Sequence, residues 1–292
     1  MMILDWKVVA KQIKDRLKDI FSQSIWQDAY IVIFLLNNHW PSIKYVSLKK
    51  KFWEEVWIKV KVIDWNQVNV SNVDEILEKV NYFNSDDRCK WIIFQLPLPL
   101  SLQKYQPLLL SSVRWYKDID WLWWVKFWLS LVWLFDFIPA TPKAVVNILK
   151  YYKLDNFKWK RITIIWQSNL VWKPLALYFM KQEAEVFSFN KFVDKKTLID
   201  ICKTSDIIVS ATWSPRLVTN EFVKDDKSQI LIDVGWEIVN WKPVWDVDFD
   251  SVKDKVKAIT PVPWGVGPVT VASLFENIVE LDKVKNIYKL KI

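Results

Sequence analysis

Glycine is almost absent from this chain. Three glycines occur in 292 residues, where an average usage of about 7% would give about 20. Turns and phosphate-binding loops need residues that accept a positive φ or let the backbone approach a ligand closely. A chain with so few glycines has very few residues suited to these positions. Tryptophan, in contrast, occurs 21 times.

Cysteine and histidine are also scarce. Cys89 and Cys202 are the only cysteines, and they lie far apart without CxxC or other metal-ligand spacing. This favours two reduced structural thiols over a disulfide framework. His39 is the only histidine and lies in a predicted loop, so we assign it no catalytic role. We expect no metal site.

No apolar segment approaches the ~20 residues that a membrane span requires. The longest clean run, residues 29–36, has the length of a strand, and charges scattered through the N-terminal segment leave no signal-peptide core. We therefore expect a cytoplasmic protein without a membrane partner. The net charge of +8 suits anionic small ligands. A nucleic-acid partner is not expected, because no long Lys/Arg block is present and the aromatic residues cluster at turns rather than along one strand face.

The tryptophans stand where an α/β protein places glycine. Trp166 and Trp172 bracket a predicted strand-to-helix turn, and Trp264 precedes Gly265. Glycine and tryptophan together number 24, three plus 21, which restores the expected glycine count. We hypothesise that the gene uses UGA as a glycine codon, so that these tryptophans are glycines in the cell. The alternative is a truly tryptophan-rich protein, which would have to bury, stack or expose 21 indoles.

Alternating strand and helix patterns predict a parallel α/β fold in two series. In the first series, helices are predicted near residues 9–20, 42–56 and 73–83, and strands at residues 29–36, 58–62 and 91–95. A helix near residues 103–112 and a loop-rich segment at residues 114–140 follow. In the second series, strands are predicted at residues 161–165, 185–189, 206–210 and 229–233, with a last helix from about Val269.

The strongest motif is ITIIWQSNLVWKPLALYF, residues 162–179. It reads as a β-branched strand, a turn and a helix, and glycine at Trp166 and Trp172 would make the turn a nucleotide-binding one. The first glycine would let the chain reverse tightly and the second would let the helix pack closely, while the amides of the helix N-terminus would face a pyrophosphate. Taken alone, the motif also fits an ordinary strand-to-helix turn.

Two further motifs carry polar groups. Tyr45 and Lys49 are four residues apart in a predicted helix, so they share one face and could form a proton-transfer pair. A solvated helix face is the alternative. Gln95 ends a predicted buried strand, where side chains of a parallel sheet face the ligand crevice.

The order of these motifs makes the chain resemble the bifunctional methylenetetrahydrofolate dehydrogenase/cyclohydrolase family over nearly its whole length. The matching stretches are ILDWK, PSIKYVSLKKKFWEEVWI, IIFQLPLP, KDIDW, PATPKAV, the turn at residues 162–179, IDVGWEIVNWKPVWDVDF and TPVPWGVGPVT. In almost every stretch, replacing tryptophan by glycine improves the match, which independently supports the codon hypothesis.

The resemblance implies an α/β fold with two α/β domains that flank a cleft. Residues 1–137 with 272–292 would form the folate-binding catalytic domain, and residues 138–271 a Rossmann-like NAD(P)-binding domain. The implied function is oxidation of 5,10-methylenetetrahydrofolate with NADP, then hydrolysis of the methenyl product to 10-formyltetrahydrofolate, by a homodimer. The alternatives are a monofunctional dehydrogenase, against which Lys49 argues, and a catalytically dead homologue whose cleft is plugged by indoles.

The resemblance also implies roles for single residues. Lys49 is the key polar catalyst of the cyclohydrolase step, Tyr45 and Gln95 shape its hydrogen bonding, and Asp120 binds the amino edge of the pterin, so these four form the catalytic set. The implied substrate-binding residues are Ser42, Tyr45, Asp120 and Pro268. The implied cofactor-binding residues are Trp166, Gln167, Ser168, Asn169, Val171, Lys191 and Thr212.

Two departures from the family pattern affect these assignments. Many relatives carry arginine after the first turn glycine, whereas this chain has Gln167, which cannot neutralise a 2′-phosphate. Lys191 is our substitute candidate, and we favour NADP over NAD. The segment from Trp121 to Trp128 also departs, because Lys126 stands where relatives have an asparagine.

Overall fold

The computed structural model describes residues 1–22, 28–120, 138–167, 171–262 and 265–287. The chain forms two compact units. We call them the large-sheet unit, Met1–Lys11 with Ser130–Ser273, and the small-sheet unit, Gln12–Leu129 with Leu274–Ile292. None of the helices formed by the described residues combines the length and the apolar character that crossing a bilayer requires.

Strands and helices alternate along most of the chain. In chain order the elements are β1 (Met2–Ile3), α1 (Trp6–Phe21), β2 (Tyr30–Leu35), α2 (Trp40–Glu55), β3 (Lys59–Asp64), α3 (Val73–Ser85), β4 (Cys89–Phe94), α4 (Leu100–Gln103), α5 (Gln106–Ser112), α6 (Ala140–Tyr151), β5 (Arg161–Ile165), α7 (Trp172–Lys181), β6 (Glu185–Phe189), α8 (Lys195–Thr204), β7 (Ile207–Ser210), β8 (Ile230–Asp233), β9 (Trp236–Val239), β10 (Lys242–Trp245), α9 (Phe249–Val252), β11 (Ala258–Ile259) and α10 (Gly267–Ile287).

The small-sheet unit contains a three-stranded parallel sheet in the order β3-β2-β4. Its central strand β2 is a continuous run of apolar residues, and all but the first are buried, as expected for a parallel strand covered on both faces. Phe34 of β2 stacks on Phe94 of β4 with ring centroids 4.8 Å apart. Val80 and Phe83 of α3 are buried in the same hydrophobic cluster, so α3 packs on this sheet.

The large-sheet unit contains a six-stranded sheet in the order β1-β11-β8-β7-β5-β6, and every pairing in it is parallel. Strands β5, β7 and β8 are apolar and buried over nearly their whole length. From β5 the chain passes to β6 on one side and then to β7 on the other. The carboxyl ends of β5 and β7 therefore form a topological switch point, where open α/β sheets bind ligands.

The predicted parallel α/β fold is confirmed. Strands β5 and β6 have the predicted bounds, and most others agree within two residues. Four strands were not predicted: β1 and β11, which have two residues each, and β9 and β10, which form a hairpin. Strands as short as β1 and β11 leave no readable periodicity. The helix predicted at residues 103–112 is two helices, and the second has a proline in its first turn.

Five tryptophans adopt a backbone conformation that suits glycine. Their φ angles are 65° at Trp57, 63° at Trp159, 87° at Trp166, 58° at Trp213 and 64° at Trp241. They make up five of the ten non-glycine residues with positive φ among those described, although tryptophan provides only 21 of 292 residues. Bulky residues rarely occupy this region, whereas glycine enters it without steric cost. The backbone thus supports the codon hypothesis independently of composition.

Candidate active site

Lys49 lies on the inward face of α2. The buried residues of this helix are Ser42, Val46, Lys49 and Trp53, whose spacing of four, three and four residues forms one helical stripe. The lysine therefore shares a face with apolar side chains and is only 8% exposed. Tyr45, one turn before Lys49, is half-buried, so three predicted site residues follow from the register of one helix.

Two other predicted residues meet Lys49 in the small-sheet unit. Lys49 Nζ donates a hydrogen bond of 3.1 Å to Gln95 Oε1 and lies 3.9 Å from Asp120 Oδ2. Gln95 directly follows β4, and its Nε2 donates to the carbonyl oxygen of Leu96 at 2.9 Å, which orients Oε1 toward the ammonium group. A buried cation thus lies between an amide oxygen and a carboxylate, an arrangement that can hold and transfer a proton.

The segment that carries Asp120 is anchored by Lys117, a residue to which the sequence analysis gave no role. Lys117 is buried, and its Nζ donates to the carbonyl oxygens of Phe83, Asn84 and Asp86 at 2.8–2.9 Å. These carbonyls belong to the end of α3, where helices leave acceptors unpaired. Burial lowers the pKa of Lys117. The three acceptors compensate for this desolvation, and the result is a fixed start to the loop before Asp120.

Two further hydrogen bonds fix the same loop. The amide of Ile92, in β4, donates to the carbonyl oxygen of Lys117 at 2.8 Å, and Asn277 Nδ2 donates to that of Ile119 at 2.9 Å. The position of Asp120 therefore depends on a strand, a helix end and a side chain of α10. No local sequence signal marks these partners, since Asn277 is 158 residues from Ile119.

We expect Lys117→Met to lower the free energy of unfolding by about 3 kcal/mol, because three buried carbonyl groups lose their donor. Asp120 would also lose its anchor, so the hydrolytic activity that the family resemblance implies should fall in the fraction that remains folded. Urea unfolding and activity measured on the same preparation test this. Lys104→Met is the matched control, because Lys104 is exposed, and it should change neither quantity.

The predicted cofactor residues that are described lie in the large-sheet unit. Trp166 follows β5, and its amide donates to the carbonyl oxygen of Phe189, at the end of β6, at 2.9 Å. Val171 is the N-cap residue of α7, and Thr212 is buried just after β7. These residues surround the switch point of the sheet. Ser168, Asn169 and the segment from Trp121 to Trp128 lie outside the described residues.

The remaining two cofactor candidates, Gln167 and Lys191, differ in their surroundings near the end of β6. Gln167 Nε2 donates to Ser188 Oγ at 3.1 Å and to the Ser188 carbonyl oxygen at 3.3 Å, so Gln167 bridges the ends of β5 and β6. Lys191 is exposed, with Nζ 5.1 Å from the centroid of the Phe192 ring. The sequence analysis did not select Ser188, although its place on β6 was predicted. Pro268, predicted to bind substrate, is half-buried in the first turn of α10 and belongs to the large-sheet unit.

Comparison with known proteins identifies the family. Residues 4–120 match the catalytic domain of tetrahydrofolate dehydrogenase/cyclohydrolase, and residues 139–286 match its NAD(P)-binding domain. The chain belongs to the tetrahydrofolate dehydrogenase/cyclohydrolase family. The resemblance derived from the motifs is thereby confirmed, and so is an NAD(P)-binding domain in the second half of the chain.

Relatives of this family match the chain over nearly its full length. The bifunctional protein FolD of Mycoplasma capricolum is 36% identical and the alignment covers 97% of this chain and 98% of the relative. The crystal structure of the bifunctional FolD of Campylobacter jejuni has a TM-score of 0.87 at 32% identity and covers 98% of this chain and 99% of that one. The FolD of Trypanosoma brucei, determined with NADP and an inhibitor, has a TM-score of 0.87 at 26% identity over 98% of each chain.

Proposed function

We propose that the chain oxidises 5,10-methylenetetrahydrofolate to 5,10-methenyltetrahydrofolate with NADP and hydrolyses the methenyl compound to 10-formyltetrahydrofolate. The observation that carries the proposal is the contact of Lys49 with Gln95 and Asp120 in a chain that matches both domains of a dehydrogenase/cyclohydrolase family. NADP, when bound, supplies the acceptor for the hydride that leaves the methylene carbon.

Lys49 serves the hydrolytic step. Water adds to the methenyl carbon and releases one proton. The hydroxyl group of this adduct then loses its proton as the formyl carbonyl forms, while the carbon–nitrogen bond breaks and the ring nitrogen takes up a proton, so one proton is released overall. Lys49 is the group that accepts and donates protons at the oxygen and nitrogen atoms bonded to this carbon, and Gln95 holds Nζ in place through the hydrogen bond to Oε1. Asp120 has acceptor oxygens only, which match the N–H donors of the pterin amino edge. Ser42 and Tyr45, on the same helix, bind the substrate beside Lys49.

The oxidation step depends on placement rather than on an acid or base. The residues around the switch point, Trp166, Gln167, Val171 and Thr212, hold the dinucleotide at the carboxyl edge of the sheet. Ser168 and Asn169 are proposed to bind it as well, on the family resemblance alone. A backbone φ of 87° at position 166 suits a residue without a side chain, so we assign glycine to this position in the native protein. Pro268 serves the folate substrate.

The two alternative functions predict different residues in the two sites. A monofunctional dehydrogenase has no need of a buried lysine that contacts an amide oxygen and a carboxylate, so the Lys49 group favours the bifunctional enzyme. A catalytically dead homologue would carry indoles in the nucleotide turn. By analogy with the family alone, we also propose a homodimer located in the cytoplasm.

A coupled assay with methylenetetrahydrofolate and NADP tests the function on protein made with glycine at all 21 tryptophan positions. NADPH should form, and the methenyl absorbance should rise and then decay as the formyl product accumulates. A methenyl compound that accumulates without decay would identify the monofunctional dehydrogenase, and a chain that binds no dinucleotide would identify the dead homologue. Light scattering on the same sample should give the mass of two chains.

We expect Lys191→Gln to raise the KM for NADP about tenfold, the loss of one hydrogen bond to a charged group, and to leave the KM for NAD unchanged. The reason is that NAD lacks the 2′-phosphate that Lys191 is proposed to neutralise. Steady-state kinetics with both cofactors measure the difference. Lys196→Gln, at an exposed position of α8, is the control. Equal changes for NADP and NAD would exclude Lys191 from phosphate recognition.

A further inference from the structure

Asp246 is a fully buried carboxylate that accepts three hydrogen bonds from one loop. It follows β10, and its Oδ2 accepts from the Thr212 amide at 2.5 Å and from Ser210 Oγ at 3.1 Å. Its Oδ1 accepts from the Ser214 amide at 3.0 Å. Three donors within five residues thus bond to one side chain. Because β7 ends at Ser210, Asp246 rather than sheet pairing sets the path of the loop at residues 210–214.

Gly235 leaves the space that this carboxylate occupies. A Cβ atom at Gly235 would lie 2.1 Å from Asp246 Oδ2 and 2.6 Å from its Cγ, far inside van der Waals contact. The Asp246 amide donates to the Gly235 carbonyl oxygen at 3.1 Å. The backbone after β8 therefore lies directly against the carboxylate, and position 235 must remain glycine for Asp246 to reach the loop.

A second buried carboxylate, Asp233, lies close to this cluster. Its Oδ2 accepts from the Val247 amide at 3.0 Å, while its Oδ1 has no partner among the described residues. Burial and the charge of Asp246 raise the pKa of Asp233 well above its usual value. Burial also raises the pKa of Asp246, but the hydrogen bonds from the 210–214 segment act in the opposite direction. Asp246 accepts three hydrogen bonds and Asp233 accepts one, so negative charge is stabilised better on Asp246 than on Asp233.

We propose that Asp246 is a positioning residue for the oxidation step, because its carboxylate holds the 210–214 loop and thereby places Thr212 at the switch point where the dinucleotide binds. The inference rests on the proposed function, which assigns Thr212 to the cofactor. Lys49, Gln95 and Asp120, which the proposed function assigns to the hydrolytic step, belong to the small-sheet unit, whereas Asp246 belongs to the large-sheet unit. Replacement of Asp246 removes none of the contacts among those three residues. Loss of Asp246 should therefore separate the two activities.

The test is Asp246→Asn in the full-length chain that shows dehydrogenase activity. Asparagine keeps the shape but turns one acceptor oxygen into a donor that faces a loop donor. The KM for NADP should rise about tenfold or more, as expected for the loss of a charged hydrogen bond, and hydrolysis of directly supplied methenyl substrate should stay within about twofold of the parent. Asp250→Asn, which is exposed and pairs only with Lys253 among the described residues, is the matched control.

One milder variant and one independent variant support the test if Asp246→Asn does not fold. Ser210→Ala removes one of the three donors and should raise the KM for NADP less than Asp246→Asn, whereas Gly235→Ala displaces the carboxylate and should act like Asp246→Asn. Hydrogen exchange of the Thr212 and Ser214 amides should accelerate in both Asp246→Asn and Gly235→Ala. An unchanged KM for NADP in a folded Asp246→Asn variant, or parallel losses of both activities, would overturn the inference. A parent chain without dehydrogenase activity would instead refute the proposed function.

Discussion

Lys49→Met is expected to abolish hydrolysis of the methenyl compound, with a loss of about 10²- to 10⁴-fold or more, the usual range for removal of a general acid-base group. Methionine has a similar length and tolerates a buried position, so the 8% exposed site should accept it. The ammonium group that contacts Gln95 and Asp120 is lost. Oxidation should continue because it depends on cofactor placement in the other unit. NADPH should therefore form while the methenyl compound accumulates.

The matched control is Lys50→Met, one residue further along α2. Lys50 is exposed and lies 3.9 Å from Glu54 on the outer face of the helix, so its replacement should leave both activities unchanged. Equilibrium binding of NADP and of a folate ligand to the Lys49→Met variant checks that the sites persist. If that variant hydrolyses the methenyl compound at the parental rate, Lys49 has no role in the step.

Trp166→Gly combined with Trp213→Gly is expected to convert a chain with weak or no NADP binding into one that binds NADP. Both residues have positive φ and flank the switch point of the large sheet, where indoles compete with a ligand for space and glycine allows the backbone to approach the pyrophosphate. Calorimetric titration with NADP measures the gain. An affinity equal to that of the tryptophan chain would show that these side chains do not obstruct the cofactor.

The same substitution should stabilise the fold at positions remote from the nucleotide turn. Trp57, Trp159 and Trp241 have positive φ and are exposed. Replacement by glycine relieves backbone strain of about 1–2 kcal/mol at each position and loses little buried apolar surface. The greater conformational entropy of glycine in the unfolded chain offsets about 0.5–1 kcal/mol of this gain at each position. Urea unfolding of the triple variant should show a gain of about 2 kcal/mol. Trp236→Gly, in the extended strand β9, should instead lose about 1 kcal/mol.

Peptide mass spectrometry of the protein from its source organism tests the codon hypothesis directly. Glycine should appear at positions 57, 159, 166, 213 and 241, where the backbone has positive φ. Indole side chains at these positions would instead support a genuinely tryptophan-rich protein, and a failure of NADP binding in that material would favour the dead homologue.

The local sequence pattern determined most of the strands and helices and the face of α2 on which Lys49 lies. The apolar runs of β2, β5 and β7 and the helical stripe of α2 are readable from sequence because burial of a regular element repeats with the period of that element. The same periodicity placed Lys49 on the inner face of α2 together with Val46 and Trp53. The order of the motifs was sufficient for the family, since each motif is a short contiguous stretch.

Only the tertiary structure decided which polar groups hold the site in place. Lys117 caps the end of α3 across 31 to 34 residues. Gln167 bonds Ser188 across 21 residues, and Asp246 accepts from Thr212 across 34. Each of these contacts joins two segments that the packing of strands and helices brings close in space. No local sequence pattern predicts such a contact. The positive φ of five tryptophans is likewise a property of the folded turns, because neighbouring elements, and not the residue itself, impose the path of the backbone there.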